Sequence, residues 1–374
     1  MAANVEEQPV KPIDVLLVVD DDVFNRLGSV VRHLCVGMID ESVRMAVLLQ
    51  PGCKRSGDTL GPSRLIRLPM KHWFQKRYTA AEVLDCLGQE HPLIIHCMSA
   101  ELAHWVRPWA QEFKSALLVH MTDLYDVDRF RGLNSYGKIM GIPATSGIER
   151  ALYKRYPVTK KQIRVVPLGI PAGAEPVCYS HPERVPTVVL SSPLTKNCGL
   201  EGVLKALKSI VQKGREVQLF ILETGPAERT YRRMVDRLDL RGCVSFAGRM
   251  RDWATFGQVM SAADIYIVPS TLRRFGIKTL IAMAAGMAIL APVGTIQDYL
   301  VDSVTASLFD PLKTKDLIAR WIQLLEDRAF AGKLARNALV HVRAHHQASM
   351  MVRAIAEFYR DICKQPQTGV PVAL

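Results

Sequence analysis

No two of the eight cysteines, Cys35, Cys53, Cys86, Cys97, Cys178, Cys198, Cys243 and Cys363, stand in a Cys-x-x-Cys pair. Several lie in apolar or helical contexts, which predicts reduced, mostly buried thiols and argues against a disulfide framework. No apolar run approaches the ~18 residues of a membrane span, and Val15–Val19 is too short for a signal-peptide core. The expectation is a cytoplasmic protein, with a peripheral place at the inner face of a membrane left open. Low-complexity tracts are also missing. With 49% hydrophobic and 22% charged residues, disordered and fibrous classes are excluded. His345–His346 lacks the separated partners of a metal site and reads as a surface pair beside a helix. What the chain does have is cation: 48 Lys and Arg against 36 Asp and Glu leave +12. That surplus suits an anionic partner. No recognised nucleic-acid motif accompanies it, so nucleic acid is not the expected partner.

At ~150 residues per domain the length suggests two domains. Ile13–Val19 is apolar and β-branched, as a buried parallel strand should be, and Phe24–Val36 carries Leu27, Val31 and Leu34 on one helical face. Further strands are predicted at Arg44–Leu49, Leu93–Cys97, Ala116–His120, Lys138–Ile142 and Ile163–Val166, alternating with helices at Ala80–Leu87, Ala100–Phe113 and Gly147–Tyr156. A doubly wound sheet is the packing this rhythm predicts. Pro167–Pro186, crowded with proline, reads as a linker. A second series then runs from the strand Thr187–Ser191 to Ala288–Ala291, with Val217–Glu223 among its strands. Ser349–Cys363 is a last helix with Met351, Ile355, Phe358 and Ile362 on one stripe. The expected domains are 1–175 with 349–364 returning to it, and 176–345, followed by a flexible tail at 365–374.

Phe220, Gly225–Pro226, Val244–Gly248, Ala263–Ser270, Phe275–Gly276 and Ala282–Gly286 arrive in order, followed by Val293–Gly294, Asp298–Asp302 and Phe309–Pro311. This series resembles the donor domain of GT-B glycosyltransferases, specifically the large retaining family 4. In the first half, Ala144–Ser146 and Val165–Ile170 are similar to the same family's strand end and approach to the linker. The resemblance implies an α/β protein of GT-B fold: two Rossmann-like, doubly wound parallel-sheet domains facing a cleft, with the C-terminal helix crossing back to the first. No metal or other cofactor is expected. In such a site, cationic side chains and helix N-termini neutralise the leaving diphosphate.

Measured against that family, the signature positions are changed. Its Arg and Lys after the first strand of the second domain fall on Pro193 and Cys198, leaving Lys196 as the nearest cation. Its two glutamates, counted from Phe275–Gly276, fall on Arg273 and Ile281. Arginine only donates hydrogen bonds and isoleucine makes none, so the chemistry differs in kind. The glycine-rich loop after strand one is replaced by Asp20–Leu27. The family's histidine falls on Thr122, while His120 lies two residues earlier on the same strand face. The resemblance therefore implies His120, Thr122 and Asp123 as catalytic candidates. It implies donor contacts from Thr195, Lys196, Arg249, Met250, Arg273, Arg274, Phe275, Gly276, Ile277, Lys278, Thr279 and Asp298.

Two functions follow. One is transfer of a hexose from a nucleoside diphosphate sugar to a glycan or lipid acceptor with retention. The other is a catalytically inactive pseudo-glycosyltransferase that binds an anionic glycan, a nucleotide or a partner enzyme as a scaffolding subunit. Asp20–Asp22 also resembles the acidic start of a phospho-receiver domain, against the plainer reading that these residues cap the first helix. Arg64–Tyr78, basic and aromatic by turns, suits an anionic membrane surface or an acidic acceptor, against a solvated loop.

Overall fold

A computed structural model describes residues 14–53, 60–61, 63–69, 78–133, 139–156, 162–173, 175–250, 253–271 and 273–364. The chain divides into two units, one running to Pro167 and resuming at Ala348, the other formed by Leu168–Gln347. The first contains β1 (Val15–Val19), α1 (Asp21–Asp40), β2 (Met45–Leu49), β3 (Arg64–Arg67), α2 (Ala80–Cys86), β4 (Ile94–Cys97), α3 (Ala100–Glu112), β5 (Ala116–Met121), α4 (Leu124–Phe130), β6 (Ile139–Pro143) and α5 (Ser146–Arg155). Its six strands are parallel in the order β3-β2-β1-β4-β5-β6. Every residue of β1 is buried, as helices on both sheet faces require. Asp20 accepts a hydrogen bond from Val23 N at 2.7 Å and so caps α1, the plainer of the two readings of the acidic run.

The second unit contains β7 (Thr187–Leu190), α6 (Leu200–Gln212), β8 (Gln218–Ile221), α7 (Glu228–Arg237), β9 (Val244–Phe246), α8 (Trp253–Met260), β10 (Ile265–Ile267), α9 (Ile277–Ala284), β11 (Ala288–Pro292), β12 (Ser307–Phe309), α10 (Thr314–Glu326) and α11 (Arg328–His345). Its sheet is again parallel, ordered β12-β11-β10-β7-β8-β9. Leu200, Val203, Leu204, Leu207 and Ile210 line one face of α6 and share a core with Leu317, Trp321 and Leu324 of α10. Each such side chain contributes roughly 2 kcal/mol through burial.

The final helix, α12 (Ala348–Lys364), belongs to the first unit and packs on α1. Met351, Ile355, Phe358 and Ile362 are buried there. The two helices meet at Gly37, where a Cβ would lie 2.7 Å from Val352 Cγ2. Any larger residue would push α12 away.

Three expectations need correction. The proline-rich stretch after Pro167 is part of the second unit, because Gly173, Val177 and Cys178 donate backbone hydrogen bonds to Ala284, Ala285 and Gly286 at the end of α9. The division therefore falls after Pro167 rather than after 175. Ile163–Val166 runs beside β6 through hydrogen bonds to Gly141 and Pro143 but forms only an isolated bridge. His346 is buried rather than superficial: its Nδ1 lies 2.9 Å from Leu168 O, and burial lowers its pKa to about 4. No helix among the described residues is long and apolar enough to cross a membrane.

Candidate functional site

In the second unit the strand order reverses between β7 and β10. The C-terminal ends of the strands at such a reversal leave a crevice where ligands of doubly wound sheets bind. The loops that follow β7 and β10 touch at Gly199, whose φ is +84° and where a Cβ would fall 2.1 Å from Pro269 O. Only glycine fits. Tyr231 OH braces the same loop, 2.8 Å from Thr195 O and 3.2 Å from Lys196 O, and Cys198 Sγ donates to it at 3.4 Å. Thr195 and Lys196 themselves are exposed at its tip.

Just past the end of β8 stands Glu223, 4% exposed. Its Oε1 accepts from Lys278 Nζ, and its Oε2 accepts from Arg249 Nε at 3.0 Å. Lys278 Nζ also donates to Ser191 Oγ at 2.9 Å, just beyond β7. Residues after β7, β8 and β9 thus converge on the first turn of α9. Burial pulls the Lys278 pKa below the ordinary lysine value, and Glu223 opposes that pull. Tyr266 on β10 is raised by its own burial, with the Glu223 charge adding to it.

The helix that carries Lys278 begins at Gly276 without a side-chain cap, so its first N–H groups keep their positive end of the dipole available to an anion. Phe275, Gly276, Ile277 and Thr279 are buried around that start, while Arg273 and Arg274 are exposed. Behind them Tyr299 OH donates to Gln297 Oε1 at 2.7 Å, and Gln297 Nε2 is buried without a hydrogen-bond partner. Asp298 is exposed and Met250 half-buried. The structure therefore joins Arg249 and Lys278 through Glu223. Lys196 makes no ion pair among the described residues.

The first unit places its candidates differently. His120 is 0% exposed, with neither ring nitrogen hydrogen-bonded, and burial lowers its pKa to about 4. A ring so enclosed is neutral at pH 7 and in this arrangement meets no substrate. Thr122 Oγ1 accepts from Arg26 Nη1 at 3.3 Å. Asp123 caps α4 in a reciprocal box with Asp126, whose pKa burial and the Asp123 charge push up to about 7. In the Arg64–Tyr78 stretch, residues 70–77 lie outside the described residues. At its ends, Arg64 pairs with Glu90 and Tyr78 OH donates to Pro69 O at 2.6 Å.

Residues 177–340 match the family model described as glycosyl transferases group 1. The match lies within the second unit. Among curated proteins, the chain is 24% identical over 178 residues to an alpha-D-kanosaminyltransferase of Streptomyces kanamyceticus, covering 47% of this chain and 46% of that one. It is 22% identical over 299 residues to an uncharacterized glycosyltransferase of Methanocaldococcus jannaschii, covering 75% of each. The chain thus spans less than half the length of the first of these relatives. Among solved structures, a glycosyltransferase from Rickettsia africae superposes with a TM-score of 0.75 at 16% identity, covering 96% of this chain and 100% of that one. Anabaena HepE in complex with UDP and glucose gives 0.73 at 17%, covering 92% and 98%. These likenesses establish the fold as GT-B.

Within the matched region, Glu223 and Ser191 are candidate site residues that the sequence reading did not select. One signal was available for Glu223: an acid closing an apolar strand at the C-terminal edge of a parallel sheet, where ligands gather.

Proposed function

We propose that the chain is a glycosyltransferase that holds a nucleoside diphosphate sugar at the C-terminal sheet edge of its second unit. It would transfer a hexose to a glycan or lipid acceptor with retention of configuration. The observation that carries this reading is the meeting of Lys278 and Arg249 at the uncapped start of α9, within the domain that matches the family. Departure of a nucleoside diphosphate places negative charge on its terminal phosphate, and two fixed cations beside a helix N-terminus stabilise that charge as it develops. The similar HepE structures contain UDP, glucose or UDP-glucose, which supports a nucleotide-sugar ligand.

A second reading, a non-catalytic binder, is favoured by Arg273 and Ile281 standing where the resembled family carries acids. Calorimetric titration with uridine, guanosine and adenosine diphosphate sugars, paired with a donor-hydrolysis assay, separates the two. Binding with turnover supports the enzyme; binding without turnover supports the second reading. Silence across the panel sinks both donor-based readings.

A further inference from the structure

We propose that Glu223 is the positioning residue of the donor site, holding Lys278 and Arg249 charged and aimed so that their remaining N–H groups form one seat for a diphosphate. This rests on the donor reading above and adds to it the residue that makes the cations usable. The geometry is specific. The ammonium of Lys278 has three N–H bonds; Ser191 Oγ takes one, Glu223 Oε1 takes a second, and the third has no partner among the described residues. Arg249 is held through Nε alone. Among the described residues its two terminal nitrogens have no partner, and this is the end of a guanidinium that grips phosphate in a bidentate fashion.

Charge favours the same role. The side chain of Lys278 is only 24% exposed, and an ammonium so enclosed tends to lose its proton. Four elements face it: Glu223 after β8, Arg249 after β9, Ser191 after β7 and the Phe256 ring on α8 at 5.7 Å, with Tyr266 of β10 influenced by the same carboxylate. Glu223 is the one anion in this group. Two cations on one carboxylate leave the cluster at +1, attractive to a diphosphate, whereas two cations alone would repel each other and favour loss of the lysine proton.

The test is calorimetric titration of UDP, and separately of inorganic pyrophosphate, at pH 6.5 and 8.5. Wild-type protein, Glu223→Gln, Lys278→Met and the double variant Glu223→Gln/Lys278→Met are compared. Taking each variant's affinity relative to wild type at the same pH cancels the ligand's own ionisation. Glu223→Gln is expected to bind more weakly at both values and to lose further affinity at pH 8.5, because Lys278 gives up its proton more readily without the carboxylate. The double variant shows no such trend, because the titrating group is gone. A purely structural role for Glu223 would weaken binding equally at both values. A wild type that binds UDP together with a Glu223→Gln variant showing no added loss at pH 8.5 overturns the inference and leaves the donor reading standing. A wild type silent to UDP, to the guanosine and adenosine diphosphates and to pyrophosphate overturns both. Should Glu223→Gln fail to fold, Glu223→Asp serves: a carboxylate one methylene shorter cannot reach both cations. Its UDP affinity is expected to fall at least about threefold, and unchanged affinity overturns the inference.

Discussion

His96 and His120 stack in the core of the first unit, their ring centroids 5.5 Å apart and their planes within 6° of parallel. Of their four nitrogens, only His96 Nδ1 has a hydrogen-bond partner among the described residues, Tyr359 OH at 2.6 Å. Burial lowers both pKa values, His120 to about 4 and His96 well below the usual range, with His120 adding to the second shift. The unfolded chain binds these protons near pH 6.5 and the folded chain resists them, so this stability is present above pH 6.5 and is lost as pH falls toward 4. His120 alone should account for about 2 kcal/mol between pH 7 and pH 5. Urea unfolding at both values checks it. His120→Leu is expected to flatten the acid loss by that amount, and an unchanged slope would show that the pair titrates normally.

Tyr359→Phe removes the hydrogen bond to His96 Nδ1, the one that the histidine pair makes among the described residues. A loss of about 1–2 kcal/mol is expected, read by thermal or urea unfolding. Amide exchange in α12 should rise more than exchange in α6, since α12 packs on the first unit and α6 on the second.

The two lysines proposed for the donor site differ sharply. Lys278→Met should weaken UDP binding by about 1.5–3 kcal/mol, the usual cost of losing a charged hydrogen-bond donor. Lys196→Ala, at an exposed position without an ion pair among the described residues, should cost about 1 kcal/mol or less. Titration of both variants checks the order, and a larger effect at Lys196 would relocate the phosphate seat to the loop after β7.

Gly199→Ala tests the contact between the loops that follow β7 and β10. Left-handed backbone and a Cβ driven into Pro269 O together should cost about 3 kcal/mol. A thermal melt gives that figure. UDP affinity should fall with it, because α6 and α9 both start from these loops.

The alternation of strand and helix was legible because each strand of these sheets is covered on both faces and so is apolar throughout. Val15–Val19 and Met45–Leu49 show this most plainly. The edge strand β3, Arg64–Arg67, carries exposed arginines at both ends and gave no such signal. Helix α4 was hidden by its cap, in which Asp126 takes the place of the more familiar glutamate. At the site, the turn Phe275–Lys278 could be read from local spacing. The Glu223–Lys278 pair could not, since 55 residues separate them and only the parallel order of β7, β8 and β10 brings their ends together. The burial of His346 was hidden for the same reason: its partner, Leu168, lies 178 residues away.

The return of α12 also has a consequence during synthesis. Made at about 5–20 residues per second, a chain folds its earlier parts first, yet the face of α1 around Gly37 is covered by residues translated last. His96 waits 263 residues for Tyr359. Until then the nascent first unit holds an unsealed apolar surface, and a ribosome that stops just before Ala348 releases a polypeptide whose second unit is complete while its first still exposes that surface to chaperones.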